Sequence, residues 1–312
     1  MAEPVALASL ALDVALGWPR GLYTRIGHPV GAFARIIGWW EGRWNRPALS
    51  ASGRRLHGLL LMLLLIAGTA AAGLALEALA RLWLGRWWWL GIAVLAWPAL
   101  AQRSLWQHVR PVADALEADN LPVARAQVGM VVGRDVEALD EAGVARAGIE
   151  TLSESFCDGV VAPAFWLLLL GLPGVWAYKA INTADSLIGH REDRWRAFGW
   201  AAARIDDAAN LLPARLSGLL ICLAGGRGWR TLWRDHGQHA SPNAGWPEAA
   251  MAGALGVALA GPISYDGQVQ QKPWIGAEGR VAGAADLRRA LGIYLRACLW
   301  LWALMGVAAW RP

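Results

Sequence analysis

The sequence predicts an all-α, polytopic integral membrane protein, a helical bundle with re-entrant and interfacial helices. Three observations carry this. Hydrophobic residues make up 56% of the 312-residue chain and charged residues 17%, with a mean hydropathy of +0.33, which is apolar for a soluble protein of this length. Uncharged runs of about 17 to 20 residues recur, long enough at about 1.5 Å per residue to cross most of a hydrocarbon core of about 30 Å. Tryptophan occurs 21 times against four Phe and four Tyr, and an indole with one polar N–H suits the headgroup boundary.

The elements follow in order. Met1 to Gly17 has no basic leading region and its apolar stretch is interrupted by Asp13, so it does not read as a cleavable signal. Leu59 to Leu76 is the clearest span. After a turn around Gly85, Trp87 to Ala101 is expected to return as the second limb of a transmembrane hairpin, kinked at Pro98. Seven arginines (Arg20, Arg25, Arg35, Arg43, Arg46, Arg54, Arg55) precede the first span, and only Arg81 and Arg86 lie in the turn. The positive-inside bias therefore puts the N-terminal segment, residues 1–56, in the cytoplasm of an inner-membrane, multi-pass protein, and residues 102–158 with it.

Asn120 followed by Pro122 is a helix start, and Asp135 after Gly133 is expected to cap a second helix. Gly159 to Tyr178 is uncharged but broken by Leu170-Gly171-Leu172-Pro173-Gly174, which favours two half-helices of a re-entrant hairpin. Leu211 to Gly226 and the Gly- and Ala-rich Ala249 to Tyr265 are further apolar segments. A glycine-studded loop, Gly261 to Gly283, precedes a last helix capped by Asp286. With no internal repeat, one integral membrane domain over residues 1–312 is expected, with polar catalytic segments at 102–158 and 179–210.

Some function classes drop out. The net charge of +5 comes from scattered basic residues, nearly all arginine, without an aromatic-interleaved pattern, so nucleic acid is not an expected partner. Cys157, Cys222 and Cys298 are far apart and form no disulfide framework or zinc array. No Walker A, GxGxxG, GxSxG or HExxH motif occurs.

Four constellations remain. Glu150, Glu154 and Asp158, at i, i+4 and i+8, put three carboxylates on one helix face, where like charges disfavour the helix by about 0.2 to 0.5 kcal/mol per pair unless a cation intervenes. Arg146 can serve one of them. A Mg2+ ion would serve two or three, and a plain solvated acidic face is the alternative. Next, Lys179, Asn182, Ser186 and Gly189 share a stripe with Asp185 beside them, while Ile181, Ala184, Leu187 and Ile188 face elsewhere. Lysine, asparagine and serine can cradle phosphate, Asp185 can act as base or metal ligand, and His190 can cap the helix end.

In the third, Ala203 to Arg215, the acid pair Asp206 and Asp207 stands between Arg204 and Arg215, with Asn210 on the face of Asp206. Ionisable groups at the mouth of an apolar segment are by default functional. The fourth, Ser241 to Ala250, is a turn leading into a helix, with Pro247 in the first turn and Glu248 where the helix dipole favours an acid.

Taken in order, these segments resemble the CobD/CbiB family of cobalamin-biosynthesis membrane proteins, the adenosylcobinamide-phosphate synthases. Leu12-Asp13, Leu16 to Arg20, His28-Pro29-Val30, Val128 to Asp135, Asp158 to Pro163, Tyr178 to His190, Phe198-Gly199, Ala203 to Leu216 and Ser241 to Leu255 carry the resemblance over nearly the whole chain. Ser155 stands where the family usually has Asn, and Ala184 where it has a bulkier residue.

The resemblance implies an ATP-dependent amide ligase that joins adenosylcobyric acid to (R)-1-aminopropan-2-ol or its O-phosphate. ATP would activate the carboxylate with Mg2+ present, and the amine would then attack the acyl phosphate. Glu150, Glu154, Asp158, Asp206 and Asp207 are the expected metal ligands. Lys179, Asn182, Ser186, Arg204, Arg215, Asn210, Ser241, Asn243 and Arg134 are expected to bind substrate and phosphate, and Asp185 or Glu248 to take the amine proton, with Lys179 also catalytic. The bilayer, a homo-oligomer and other late cobalamin-pathway enzymes are the expected partners. An AmpE-like membrane sensor and a corrinoid transporter are the rival readings.

Overall fold

The computed structural model of the chain describes residues 4–133, 135–265 and 268–310; Arg134, expected to bind phosphate, lies outside them. The fold is all-α apart from short strand pairs in one loop. The helices up to the first polar segment are α1 (Val5–Leu16), α2 (Arg20–Ile26), α3 (Val30–Trp44), α4 (Ala51–Leu84), α5 (Trp88–Ala96), α6 (Gln102–Glu117) and α7 (Leu121–Gly129). Then come α8 (Glu141–Phe156), a π-helical turn (Cys157–Val161), α9 (Ala162–Ile188), α10 (Trp200–Ala209), α11 (Leu211–Gly225), α12 (Trp229–Asp235), α13 (Gly245–Leu255) and α14 (Ala284–Ala309).

Among the described residues three helical stretches, Ala51–Glu117, Glu141–Ile188 and Ala284–Ala309, are long and apolar enough to cross a membrane. The number rises to five if the bent pairs Val5–Leu16 with Arg20–Trp44, and Trp200–Ala209 with Leu211–Gly225, each count as one span.

The chain divides into two compact units, each assembled from separated segments. The first contains residues 1–101, 162–210 and 305–312, and so holds the expected segments 1–56 and 179–210; the second contains residues 102–161 and 211–304, and so holds 102–158.

In the first unit, α4 begins where the Ser50 hydroxyl accepts the Gly53 N–H at 3.1 Å, and ends at Gly85, whose φ of 50° favours glycine. Its small residues allow close approach: Gly73 lies against the backbone of Pro173, and Gly58 against the Phe198 carbonyl. Leu61, Met62 and Leu65 of α4 pack with Ile37, with Ala180, Ile181, Ala184 and Ile188 of α9, and with Phe198, Ala201 and Ala202. The returning limb of the expected hairpin is not one straight helix. The helix α5 has nine residues, about 14 Å, and a 3-10 turn at Trp97–Ala99 containing Pro98 ends it, because proline has no N–H to continue the ladder.

The break in α9 falls at Gly171, with φ 65° and ψ −153°, a combination that glycine alone adopts readily. Glu77 of α4 accepts the Leu172 N–H at 2.8 Å and so caps the resumed helix.

In the second unit, Asn120 caps α7 through the Val123 N–H at 3.2 Å, with Pro122 in the first turn, as the sequence suggests. The next cap is corrected. Helix α8 starts at Glu141, where Asp140 rather than Asp135 accepts the Gly143 N–H at 2.7 Å. Asp135 precedes the helix by a turn, so its side chain is too far upstream to serve the first N–H groups. Between α13 and α14, Leu259–Ala260 pairs antiparallel with Trp274–Ile275, and Ile263–Tyr265 with Gln268–Gln270. No strand is expected here from the sequence: Leu259–Ala260 and Ile263–Tyr265 fall in the apolar segment Ala249 to Tyr265, whose helix ends at Leu255, and the other two strands in the glycine-studded loop. Asp286, in the first turn of α14, accepts the Gly283 N–H at 3.0 Å and pairs with Arg280.

Candidate functional site

Each unit carries a polar cluster. In the first, the downstream half of α9 is amphipathic. Ala180, Ile181, Ala184 and Ile188 are buried, Lys179, Asn182 and Asp185 half-buried, and Ser186 exposed. Leu187, expected on the apolar face, is instead exposed, because the buried stripe follows i, i+4, i+8 from Ala180 and i, i+3 from Ile181, and position 187 falls outside both. Ser186 donates to the Asn182 carbonyl at 2.9 Å, and His190 Nε2 lies 3.1 Å from the Ser186 carbonyl, closing the helix end as expected.

Facing this stripe within the same unit, α10 contributes Asp206 and Asp207. Asp206 is buried; its Oδ2 accepts from Asn210 Nδ2 at 3.0 Å, and Asn210 Oδ1 accepts from the Tyr178 hydroxyl at 3.0 Å. Asp206 Oδ1 is shielded from solvent without a hydrogen-bond partner, while Asn182 as well as Asn210 hydrogen-bonds to the carboxylate and the charges of Asp185 and Asp207 lie within its reach. A buried carboxylate oxygen left in that condition is costly without a partner. Asn210, expected to contact phosphate, is itself buried, and its amide bridges Tyr178 and Asp206, so it orients the acid. Asp207 is half-buried and pairs with Arg204 at 3.3 Å.

The second cluster gathers on α8, α11, α13 and the loop between α13 and α14. Glu150 is buried; Arg146 lies 3.8 Å away, as the i, i+4 spacing requires, and the Ala260 N–H donates to Glu150 at 2.7 Å. Glu154 is one turn on, within reach of the charges of Glu150, Asp158 and Lys272. Asp158 sits in the π-helical turn Cys157–Val161, and its charge, like that of Glu150, reaches Glu154.

Arg215, expected to pair with Arg204 around the acids, belongs to this second unit. Its guanidinium lies 4.6 Å from the Trp246 ring and donates to Asn243 Oδ1 at 3.3 Å and the Leu211 carbonyl at 2.6 Å. The Ala203–Arg215 constellation is therefore divided, because α10 ends at Ala209 and a new helix starts at Leu211. Ser241 builds the turn before α13, its hydroxyl accepting the Asn243 and Ala244 N–H groups at 3.2 and 3.3 Å. Pro247 falls in the first turn of α13 as expected, and Glu248 is 4% exposed with its Oε1 3.9 Å from His239 Nε2.

His239 and Lys272 are not apparent from the sequence. His239 stands two residues before the Ser-Pro-Asn turn, a faint signal, and Lys272 is a lone lysine in a glycine-rich loop, which carries none. Burial, and then the Lys272 charge, hold the His239 imidazole below its ordinary range.

Among the described residues no group of three or more His, Cys, Asp or Glu side chains is arranged to hold a metal ion. The acids occur as neighbouring pairs, Asp206 with Asp207 and Glu150 with Glu154.

Long apolar helices bearing buried carboxylates, with arginine, lysine and amide groups beside them, define a polytopic helical membrane protein with a polar site in each compact unit. The chain belongs to the CobD/CbiB family: the profile described as CobD/Cbib protein matches residues 6–294. It is 48% identical over 309 residues to the cobalamin biosynthesis protein CobD of Rhodobacter capsulatus, covering 97% of this chain and 96% of that one. It is 46% identical over 311 residues to the protein of the same name from a Sinorhizobium species, covering 96% of each chain. To that of Brucella anthropi it is 46% identical over 296 residues, covering 92% of this chain and 90% of that one. No solved structure matches. This membership places the chain in cobalamin biosynthesis.

Proposed function

We propose that the chain is an ATP-dependent amide ligase joining adenosylcobyric acid to (R)-1-aminopropan-2-ol or its O-phosphate, with its chemistry on the cytoplasmic side of the inner membrane. Two things support this: its family, and the buried Asp206 carboxylate, with one oxygen lacking a hydrogen bond, beside Asn182, Asp185 and Asp207. That oxygen carries the proposal, since a carboxylate held so has an unmet need for a cation or a donor.

A free carboxylate does not condense with an amine at neutral pH unless one oxygen becomes a leaving group. Transfer of the terminal phosphoryl of ATP to the corrinoid carboxylate makes an acyl phosphate and ADP. Attack by the amine then forms the C–N bond, breaks the acyl C–O bond and releases phosphate. Asp206 and Asp207 in the first unit, and separately Glu150, Glu154 and Asp158 in the second, are the groups that would hold Mg2+, which when bound would supply charge to offset the phosphates.

The remaining work falls to this chain's own side chains. Lys179, Asn182 and Ser186 present donors along one helix stripe, and Arg204 adds a guanidinium, for phosphate oxygens. Arg215, with Ser241 and Asn243, does the same in the second unit. Asp185 or Glu248 accepts the proton that the attacking amine loses. Tyr178 and Asn210 fix Asp206 before substrate arrives.

The test is to incubate detergent-solubilised protein with adenosylcobyric acid, ATP, Mg2+ and aminopropanol or its phosphate, and to look for the amide by mass spectrometry. Condensation dependent on ATP is expected. Absence of product with every amine and nucleotide tried, or uptake of unchanged corrinoid into proteoliposomes, would overturn the ligase in favour of a sensor or a transporter.

A further inference from the structure

The uncharged run Leu59–Leu76 of α4, about 27 Å long at the helical rise per residue, ends on Glu77, and Arg81 follows one turn later. Both charges therefore stand at the headgroup level of a bilayer that this run crosses. Four residues apart, they share one face of the helix at the spacing where an acid and an arginine commonly pair, yet they form no ion pair with each other. Glu77 serves the break in α9, where its Oε1 accepts the Leu172 N–H at 2.8 Å, and its Oε2 meets no donor among the described residues. Arg81 lies over Trp88, its guanidinium carbon 3.4 Å from the ring centre, and meets no carboxylate among the described residues. Stacking occupies a face of the planar guanidinium and leaves the N–H groups on its edge to donate. Both side chains line a cavity of about 270 Å³ whose other walls include Ile92, Leu167, Leu168, Leu170 and Met305, all within the first unit.

We propose that this cavity binds a phospholipid whose headgroup carries a primary ammonium, phosphatidylethanolamine, with its phosphate on Arg81, its ammonium on Glu77 Oε2 and an acyl chain along the apolar walls. An arginine at the edge of hydrocarbon calls for an anion. The walls decide which kind. A free phosphate would leave the leucine, isoleucine and methionine side chains uncovered, whereas a lipid covers them. Leu169 and Leu170, 56% and 58% exposed, extend the apolar surface beyond the cavity for the rest of the chain. Glu77 decides the headgroup. A carboxylate one turn from the phosphate repels a headgroup with negative charge alone, and a quaternary ammonium has no N–H to give. A primary ammonium donates to Oε2 in a charge-assisted bond. The two side chains start about 5 to 6 Å apart at their Cβ atoms, a separation suited to a phosphate and an ammonium joined by two carbons.

The experiment titrates the full-length protein in detergent with phosphatidylethanolamine or with phosphatidylcholine of the same acyl chains, and counts bound lipid by native mass spectrometry. The wild type is expected to bind phosphatidylethanolamine about tenfold more tightly, the effect of one charge-assisted hydrogen bond. Glu77→Gln keeps an acceptor for the Leu172 N–H but loses the charge, so it should abolish that preference while still binding both lipids. Arg81→Gln should weaken both about tenfold. Unfolding temperatures without added lipid show whether the variants fold, and Leu168→Trp, which fills the cavity from an exposed position, replaces Arg81→Gln if that one does not. Equal affinity of the wild type for the two lipids, or a preference that survives Glu77→Gln, would overturn the headgroup assignment. Binding unchanged in Arg81→Gln and in Leu168→Trp would remove the lipid from this cavity. Water-soluble phosphoethanolamine is the last arm: if it displaces the lipid at equal concentration, the cavity belongs to a free phosphate and the proposal falls. No amide formation enters these readouts, so the ligase reading can fail without touching them.

Discussion

Glu77 Oε1 accepts the Leu172 N–H at 2.8 Å, and this one contact lets a helix break inside an apolar segment. Where α9 is interrupted at Gly171, the resumed helix begins with N–H groups that have no partner in their own ladder. In hydrocarbon such groups are expensive, and a carboxylate from the neighbouring helix satisfies one of them. The half-helix so anchored carries Lys179, Asn182, Asp185 and Ser186.

Glu77→Ala should therefore destabilise the protein by about 1–3 kcal/mol, the cost of a buried donor left unsatisfied. Glu77→Gln keeps an acceptor oxygen and should lose much less. Thermal unfolding in detergent checks both, and equal midpoints for the alanine variant and wild type would contradict the capping role.

Gly58 and Gly68 lie on the same helix but differ in what a side chain would meet. A Cβ at Gly58 would collide with the Phe198 carbonyl oxygen, whereas at Gly68 nothing lies within 4 Å. Gly58→Ala should cost about 1–3 kcal/mol through overpacking. Gly68→Ala should be neutral or stabilising by up to about 1 kcal/mol, since alanine is the better helix former. The unfolding midpoint of Gly58→Ala should fall while that of Gly68→Ala holds or rises.

For Asp206→Asn and Asp207→Asn the expected outcome is a loss of ligation rate of about 100-fold or more at unchanged unfolding temperature. An asparagine at 206 still presents an oxygen to Asn210, so the Tyr178–Asn210 chain survives while the charge is gone. Initial rates beside melting curves separate the two effects. Full activity in either variant would remove that residue from the site.

Asp235 and His239, both outside the membrane-spanning segments, contribute acid sensitivity in separate windows. The Asp235 carboxyl is held below the usual carboxylate range, first by its hydrogen bond from Arg234 at 2.6 Å and also by the Gly276 N–H at 2.8 Å. Its contribution is complete above about pH 4 and is lost as pH falls through the lowered folded value. His239 works in a higher window. Its neutral form is favoured in the fold, so its contribution is complete above about pH 6.5 and declines below it. Stability measured against pH should fall through both windows, with Asp235→Asn reducing the lower loss and His239→Gln the upper.

Much of the fold is legible along the chain because lipid removes water as a partner for the backbone. The apolar run around Leu59–Leu76, the break at Gly171, the Asn120 cap and the proline in the first turn of α13 all follow from rules acting within a few residues. The expected break at Pro98 follows from the same rules, whereas the Asp135 cap fails for a local reason. Asp140 competes better for the first N–H groups of its helix, and Pro98 ends the limb after a nine-residue helix. Helical spacing also brings Asn210 to Asp206 and Arg204 to Asp207, since neighbours three and four apart on a helix must touch.

Spacing is silent about pairs far apart in the chain. That Glu77 would cap Leu172 across 95 residues, that Ala260 would donate to Glu150 across 110, and that Lys272 would stand near both Glu154 and His239 were settled by packing alone. The sequence by itself determined the helical membrane class, the family and which acids and arginines are present. The tertiary structure decided which of them share a unit, which are spent on holding the backbone, and which carboxylate oxygen is left wanting a partner. The physical reason is that local propensity acts over one or two helix turns, while burial and hydrogen-bond satisfaction are properties of surfaces brought together from distant parts of the chain.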